Sequence, residues 1–294
     1  MNDKRHPPEQ MIGEVASLFS LLGGIAPKHL VVVGGLVPPL LAPEPPTPHL
    51  GSADIDLALS IAVTKGETSQ YYRSIQEVIT PFFEPTEAAF RWRKRVGVAG
   101  ISLLVDFLGP EVEATQVEDA TLLAESETAT QNTGPLLRPL PLPAARLVDM
   151  DADVYTAEGV ELAYDPGVRA DVDIRHAGPV GFLASKADAF GTRSEPKDGY
   201  DISWWCLNAK EEPSEVAELV MGRPAFEDEY FQESVALLQK AFKEPDYPGP
   251  SGYAKEMNRD AGPGAPAFER SRNEAYLAVS QVIEILRANL WSTP

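Results

Sequence analysis

The chain has 294 residues, of which 44% are hydrophobic, enough for one large or two modest domains with a real core. Acidic residues outnumber basic ones by 44 to 25, so the formal net charge is −19. Because this excess repels phosphate backbones at long range, it argues against a protein that coats nucleic acid, although not against a local basic site for an RNA end. The single cysteine, Cys206, excludes an internal disulfide framework.

The sequence carries no pattern that predicts membrane attachment. No apolar run approaches the roughly 20 residues needed to span a bilayer, and the first residues lack the basic start and apolar run of a signal peptide. We therefore expect a soluble, cytoplasmic protein that does not bind a membrane.

The first predicted elements are a helix and a strand that ends in two glycines. Residues 9–22 carry apolar side chains at helical spacing, which indicates an amphipathic helix. Residues 29–33 are a β-branched run, predicted as the first strand, and Gly34 and Gly35 follow before an apolar helix start at 36–41. Glycines in such a turn let the backbone approach a ligand, and the N–H groups of a following helix suit phosphate.

A proline-rich stretch, residues 42–49, leads to a short strand that carries two carboxylates, Asp54 and Asp56. Residues two apart on a strand project to the same face, so these acids lie side by side while the apolar residues between them face a core. Two adjacent carboxylates repel each other, and a hard divalent cation such as Mg²⁺ cancels that repulsion. The alternative is an exposed strand edge that happens to carry two acids.

The hydroxyl of Ser52 lies just before this acid pair. Two interpretations of it stay open. It binds phosphate or metal, or it is an ordinary serine at the entry of a strand.

A basic cluster follows a predicted helix over residues 69–81 and an irregular stretch over 82–90. On a strand, Arg91, Arg93 and Arg95 share one face, which in an acidic protein favours phosphate binding. The alternative is a solvated edge strand protected by charge. We expect a hairpin to bring Asp106 beside the Asp54 strand.

The next segment is predicted to be mostly irregular. Residues 111–134 are acidic and have no clear period, so we expect a loop with at most a short helix. Alternating leucine and proline over 136–143 disfavours a central strand. Residues 155–164 and 168–175 are predicted as short strands.

A second informative region begins with an apolar helix over residues 179–190 that carries Lys186. Arg193 follows it, and then Asp198 and Asp201 open another helix. Taken alone, these residues also fit a helix hairpin capped by Asp198 with a surface lysine.

The ordered set of a Gly-Gly turn, an Asp-x-Asp strand, a later strand with one aspartate, and Lys followed by Asp-x-x-Asp resembles the nucleotidyltransferase fold of the DNA polymerase β-like superfamily. Within it, the set resembles the AbiEii-type nucleotidyltransferases, the toxins of type IV toxin–antitoxin systems and their relatives. The likeness spans residues 28–206. The proline-rich insertion before Gly51 and the region after 206 depart from the pattern.

The resemblance implies an α+β fold with a small mixed sheet flanked by helices, followed by a helical C-terminal region. We predict a nucleotidyltransferase domain over 1–178 and a helical domain over 179–294 that completes the active site. Helices are expected over 212–220, 226–242 and 267–290, and a Pro/Gly-rich linker over 245–266.

The implied reaction is Mg²⁺-dependent transfer of an NMP from an NTP, such as ATP, to an acceptor hydroxyl. The residues to which the resemblance gives roles fall into three groups: Asp54, Asp56 and Asp106 as metal ligands and catalytic carboxylates; Gly34, Gly35, Ser52, Arg93, Arg95 and Arg193 at the nucleotide; and Lys186 at the triphosphate with Asp198 and Asp201 orienting it or Arg193.

Three alternatives concern the acceptor, and a fourth concerns the activity. The acceptor is an RNA end such as that of a tRNA, a protein, or a cationic small molecule as in aminoglycoside-type enzymes, and a toxin-like role implies a cognate antitoxin. A different class is a nucleotide-binding regulatory module that has lost turnover, against which the retention of all three acids argues.

Overall fold

A computed structural model describes residues 5–59, 67–110, 137–193 and 195–291. The fold is α+β and contains a mixed sheet. Along the chain, helices precede and separate the strands, and a run of helices follows the last strand. The predicted fold class is confirmed.

Within the described ranges the sheet has eight strands. They are β1 (Leu30–Val33), β2 (Asp54–Leu59), β3 (Phe83–Pro85), β4 (Arg91–Lys94), β5 (Leu104–Gly109), β6 (Leu140–Pro141), β7 (Ala152–Glu161) and β8 (Arg169–Ala177). Their order is β3-β4-β5-β2-β1-β8-β7, with β6 paired to the end of β5. Strand β1 is buried along its whole length, as expected of an apolar strand with neighbours on both sides.

The helices are α1 (Pro8–Leu22), α2 (Ala26–His29), α3 (Val37–Leu41), α4 (Glu67–Ile79), α5 (Ala145–Met150), α6 (Pro179–Thr192), α7 (Pro196–Asn208), α8 (Pro213–Met221), α9 (Glu229–Ala241), α10 (Pro248–Met257) and α11 (Pro266–Leu290). Helices α6, α7, α8, α10 and α11 each begin at a proline. Proline is tolerated there because the first N–H groups of a helix have no partner inside the helix. Much of the proline content of the C-terminal region therefore marks helix starts.

The chain forms two compact units, each made of separate stretches. The first comprises Met1–Val32, Ser52–Arg146 and Val154–Arg175 and contains nearly all of the sheet. The second comprises Val33–Gly51, Leu147–Asp153 and His176–Pro294. The division at residues 178 and 179 stays a prediction.

The core of the second unit is formed by packed helices. Helix α10 packs on α7 and α11, and α9 packs on α6. The aromatic side chains of Phe182, Tyr200, Trp204 and Trp205 are fully buried there. Cys206 is buried, and burial raises the pKa of its thiol to about 12, so this cysteine acts as a small hydrophobe in the core.

Two predictions about irregular segments were wrong. Residues 245–266 were expected to be a linker, but helix α10 lies inside them because Pro248 and Pro250 fall in its first turn, where proline is tolerated. Residues 82–90 were expected to be irregular, but β3 pairs antiparallel with β4, and its Pro85 is tolerated because β3 is an edge strand. The loop predicted over 111–134 lies outside the described residues.

Candidate active site

The three predicted carboxylates come together in the first unit because two strands pair in parallel. Strand β2 pairs with β5 in a register that places Asp56 opposite Asp106 and Asp54 opposite Leu104. Residues paired across strands project to the same face, as do residues two apart. Asp54, Asp56 and Asp106 therefore share one face, as expected from the sequence. Ile55, Leu57 and Leu59 are buried.

The dimensions of this acid triad fit a divalent cation with oxygen ligands. One carboxylate oxygen from each residue lies within 4.8 Å of the others. In an octahedral Mg²⁺ site with bonds of about 2.1 Å, neighbouring ligand oxygens are about 3 Å apart and opposite ones about 4.2 Å. The upper limit of 4.8 Å is close to these spacings. Asp54 and Asp56 are half-buried and Asp106 is buried, so a cation there keeps access to solvent or substrate on one side.

Ser52 lies at the entry of β2 and supports the first acid. Its hydroxyl donates a hydrogen bond to Asp54, with 3.1 Å between Oγ and Oδ1. Its backbone pairs with His6 through both groups, at 2.8 and 3.2 Å, so the N-terminal segment fixes its position. Gly51 before it has φ of +81°, a left-handed conformation that favours glycine. Ser52 is thus a positioned hydroxyl beside the triad, and its role toward phosphate or metal stays a prediction.

Arg91 is bonded directly to the triad. Strand β4 pairs antiparallel with β5 and places Arg91 opposite Asp106. The guanidinium donates two hydrogen bonds to this carboxylate, 2.7 Å from Nε to Oδ1 and 2.5 Å from Nη2 to Oδ2. Its Nη2 also lies 3.8 Å from Oδ2 of Asp54. The hydrogen bonds to Asp106, and the charges of the three acids, raise the pKa of Arg91 although partial burial opposes this.

The other two arginines of the basic cluster have different environments. Arg93 is exposed, and its position two residues after Arg91 on β4 places it on the face of the triad. Among the described residues its side chain has no hydrogen-bond or ion-pair partner, although Glu84 of β3 lies opposite it in register. Glu84 instead lies 3.6 Å from Arg95, whose Nε donates to the carbonyl of Thr80.

That all three arginines share one strand face stays a prediction for Arg95. Strand β4 ends at Lys94, and just after it the N–H of Arg95 donates to the carbonyl of Phe82 while its side chain donates to that of Thr80. Its assignment to the nucleotide has no support from its contacts. Arg91, for which the sequence predicted no separate role in the site, is the arginine that touches the acids. The predicted hairpin covered residues 96–108 and did not include Arg91, so its pairing with Asp106 had no sequence signal.

The fourth base, Lys94, is buried on the opposite side of β4. Its ammonium lies 2.8 Å from both carboxylate oxygens of Glu14, which also accepts from the Ile101 N–H at 2.9 Å and the Tyr164 hydroxyl at 3.1 Å. A buried charge is stable only with such partners. Lys94 therefore stabilises the fold of the first unit, tying α1 to β4.

Gly34 and Gly35 lie in the second unit, in a 3-10 turn between β1 and α3. Gly34 has φ of +73°, which explains why glycine is needed at the end of this buried strand. The predicted role of these two residues in binding phosphate stays a prediction.

Lys186, Asp198 and Asp201 form a buried charged cluster in the second unit. The Lys186 ammonium lies 3.1 Å from Oδ1 of Asp198 and 2.6 Å from Oδ2 of Asp201. Arg193, which is half-exposed, lies 3.4 Å from the other oxygen of Asp198. The structure thus brings these four predicted residues together, and α7 supplies both acids one turn apart. The alternative of a helix hairpin with a surface lysine does not hold, because only 4% of Lys186 is exposed.

Burial alone lowers the pKa of Lys186 and raises that of Asp201. Their mutual attraction outweighs burial, so the pKa of Lys186 is raised and that of Asp201 is lowered. Both groups are therefore charged at neutral pH.

His49, from the proline-rich segment, is the further member of this cluster that the sequence did not reveal. Its Nδ1 accepts a hydrogen bond from the Gly51 N–H at 3.0 Å, so Nε2 carries the proton and donates to Asp201 at 3.2 Å. The ring packs edge-on against Trp204, with 4.8 Å between centroids. This segment is therefore fixed to α7.

No protein-family model matches the chain, and no curated protein is significantly similar to it. One similar solved structure is the crystal structure of an antigenic nucleotidyltransferase-like protein from Paracoccidioides brasiliensis. It is 13% identical with a TM-score of 0.40, and the alignment covers 82% of this chain and 89% of that one. At this TM-score the likeness assigns no function to the chain.

In the described part of the chain no helix is both long and apolar enough to cross a membrane.

Proposed function

We propose that the protein is a Mg²⁺-dependent nucleotidyltransferase that transfers an NMP from an NTP to an acceptor hydroxyl. The observation that carries this proposal is the acid triad, in which three carboxylates from two parallel strands converge within 4.8 Å beside arginines on the same sheet face. Carboxylates suit a hard cation, and guanidinium groups suit phosphate.

In this reaction the acceptor oxygen bonds to the α-phosphorus of the NTP, the bond from that phosphorus to the bridging oxygen breaks, and pyrophosphate leaves with its electron pair. The acceptor loses one proton to a base. A bound Mg²⁺ supplies charge stabilisation at the phosphate oxygens and at the leaving group.

The residues of the first unit have distinct roles in the proposal. Asp54 and Asp56 hold the cation from β2, and Ser52 keeps Asp54 in place by its hydrogen bond. Asp106 is the third carboxylate of the cation site, and it also orients the acceptor or takes its proton. Arg93 offers an exposed charge to the triphosphate.

Further roles rest on the resemblance to AbiEii-type enzymes. They are phosphate binding by Gly34 and Gly35, a triphosphate contact of Lys186, and orientation of that lysine by Asp198 and Asp201. The buried ion pairs of Lys186 support a stabilising role of the same residue as well.

The acceptor is proposed at the level of a hydroxyl group. An RNA end such as that of a tRNA, and with it a cognate antitoxin, follows from the AbiEii resemblance. A cationic small molecule is favoured by the net charge of −19. A nucleotide-binding module without turnover is the outcome if NTP binds and no transfer occurs.

The test uses α-labelled NTPs with a mixture of RNA, protein and aminoglycoside acceptors, in Mg²⁺ and in EDTA. We expect label transfer in Mg²⁺, lost by at least about 100-fold in Asp56→Asn, because a metal ligand is removed. Glu218→Gln is the charge-matched control, since Glu218 is exposed on α8 in the second unit. Full activity of Asp56→Asn would contradict the metal assignment.

A further inference from the structure

Two partners compete for the carboxylate of Asp106, the proposed cation and the guanidinium of Arg91. Asp106 belongs to the acid triad proposed to hold a cation, and both of its oxygens accept hydrogen bonds from Arg91, at 2.7 and 2.5 Å. A paired, two-donor contact between guanidinium and carboxylate is among the strongest ion pairs in proteins. A cation that approaches Asp106 therefore meets a carboxylate that is already neutralised.

The same guanidinium is close to the second strand of the triad. Its Nη2 lies 3.8 Å from Oδ2 of Asp54, so Arg91 spans from β4 across β5 toward β2. Three carboxylates and one guanidinium leave two formal negative charges, which one divalent cation neutralises. With the cation bound, the attraction that keeps Arg91 at Asp106 is much weaker.

Arg91 has the freedom to move that such an exchange requires. About a third of its side chain, 35%, is exposed, whereas only 8% of that of Asp106 is. Lys94, three residues later on the same strand, has 1% exposed and is fixed to Glu14. The guanidinium of Arg91 can thus rotate off Asp106 without the loss of core packing that moving Lys94 would cause.

We infer that Arg91 is a built-in counter-cation, which competes with the metal for Asp106 and binds the triphosphate once the metal has displaced it. The inference rests on the proposed function. Its consequence is that metal and triphosphate bind cooperatively. The metal releases Arg91 from Asp106, so the guanidinium can bind a phosphate. The phosphates in turn hold Arg91 away from Asp106, so the metal binds without a competitor. The same device keeps the acid triad from binding a metal tightly before the nucleotide arrives.

The test is a titration of Mn²⁺ as the Mg²⁺ probe, followed calorimetrically, with the intact protein and without nucleotide. We expect Arg91→Gln to bind Mn²⁺ about tenfold more tightly than the wild type, because the competing guanidinium is gone. Arg91→Lys retains a charge without the two-donor geometry and should lie between the two. Arg95→Gln, four residues later and bonded to the Thr80 carbonyl, is the charge-matched control, and it should change the Mn²⁺ affinity by less than about threefold.

The second arm adds a non-transferable NTP analogue with its α–β bridging oxygen replaced by carbon. In saturating Mn²⁺, Arg91→Gln should bind this analogue about tenfold more weakly than the wild type, since one charged phosphate contact is lost. A melting curve of each variant confirms that it is folded. If Arg91→Gln is unfolded, the Mn²⁺ titration and the analogue titration are both made with Arg91→Lys instead.

The outcomes separate the two proposals. Equal, saturable Mn²⁺ binding by wild type and Arg91→Gln, or weaker binding by the variant, would overturn the competition and leave the metal site standing. Tighter Mn²⁺ binding with unchanged analogue affinity would overturn the transfer of Arg91 to the phosphates. No Mn²⁺ binding by any of the proteins would overturn the metal site and the competition together.

Discussion

The three arginines between residues 91 and 95 have different partners, because their local environments differ. Arg91 is paired with Asp106, Arg93 is exposed with no partner among the described residues, and Arg95 is held by the Thr80 carbonyl near Glu84. A guanidinium without a protein partner keeps its full charge for a ligand. Arg93 is therefore the residue of β4 that is ready to meet a phosphate.

Arg93→Gln should lower triphosphate affinity about three- to tenfold, since an exposed charge-assisted contact is worth less than a buried one. Arg95→Gln is the matched control and should leave the affinity unchanged. The measurement is titration of an NTP in Mg²⁺ at low and moderate salt, where loss of an ion pair also flattens the salt dependence. If Arg93→Gln and wild type bind the NTP with equal affinity and equal salt dependence, Arg93 is a solvent-exposed charge that does not contact the triphosphate.

The buried charges of the second unit produce a different kind of effect, on stability. Lys186 is held by two acids, and Asp201 also accepts from His49. Removing one partner of a buried ion pair leaves the other charge unpaired, which costs about 3–5 kcal/mol. We therefore expect Asp201→Asn to lower the free energy of unfolding at pH 7 by this amount, measured by urea unfolding against Glu218→Gln as control.

The pH dependence of this effect has a definite sign. Burial raises the pKa of Asp201, but the Lys186 ammonium and the His49 hydrogen bond outweigh it and lower the pKa. A lowered pKa in the folded state gives stability that is fully present above the unfolded value of about 3.9 and is lost as the pH falls below it. The stability gap between wild type and Asp201→Asn should therefore be constant from pH 7 to about 5 and narrow below about pH 4. A gap that widens in acid would contradict the charged pair.

Among the elements, helices α7 and α10 approach so closely that only glycine fits at their crossing. A Cβ atom at Gly199 would lie 2.3 Å from the backbone oxygen of Gly249, and one at Gly252 would lie 2.6 Å from the oxygen of Pro196. Backbone atoms cannot rotate away as a flexible side chain can. Because α7 also carries Asp198 and Asp201, this crossing holds the helix that bears the cluster acids.

Gly199→Ala should lower the free energy of unfolding by about 3 kcal/mol, because the backbones of α7 and α10 must separate. Gly191→Ala in α6 is the matched control, since a Cβ there meets nothing within 4 Å. It should be neutral or stabilising by up to about 1 kcal/mol, because alanine favours a helix. The measurement is thermal or urea unfolding, and equal stability of the two variants would contradict the close crossing.

The pairing of β2 with β5 was accessible from the sequence, whereas the partners of buried charges were not. Alternation along residues 54–59 placed two acids on one face, and an apolar strand with a single aspartate pointed to Asp106. Lys94 gave no such signal, since a buried lysine needs Glu14, 80 positions away in the chain. His49 likewise depends on Asp201, at a separation of 152 residues. Such pairs are set by tertiary packing and leave no periodic pattern.

For the whole molecule, the net charge of −19 repels anions at long range. Under the proposed function, this repulsion strengthens the need for a bound cation and for Arg91 and Arg93 near the phosphates of the NTP. The sequence predicted most of the helices and strands that precede and follow the acid triad along the chain. It did not reveal that the two units are built from interleaved stretches, because contacts and not chain order decide which segments pack together.

The most direct test of the acid triad as a metal site is anomalous diffraction from crystals grown with Mn²⁺ and a non-transferable NTP analogue. We expect an anomalous peak within about 2.0–2.6 Å of carboxylate oxygens from Asp54, Asp56 and Asp106, and no such peak in Asp56→Asn crystals grown in the same way. Fully occupied analogue with no anomalous peak at the triad, or with the peak at other residues, would contradict it.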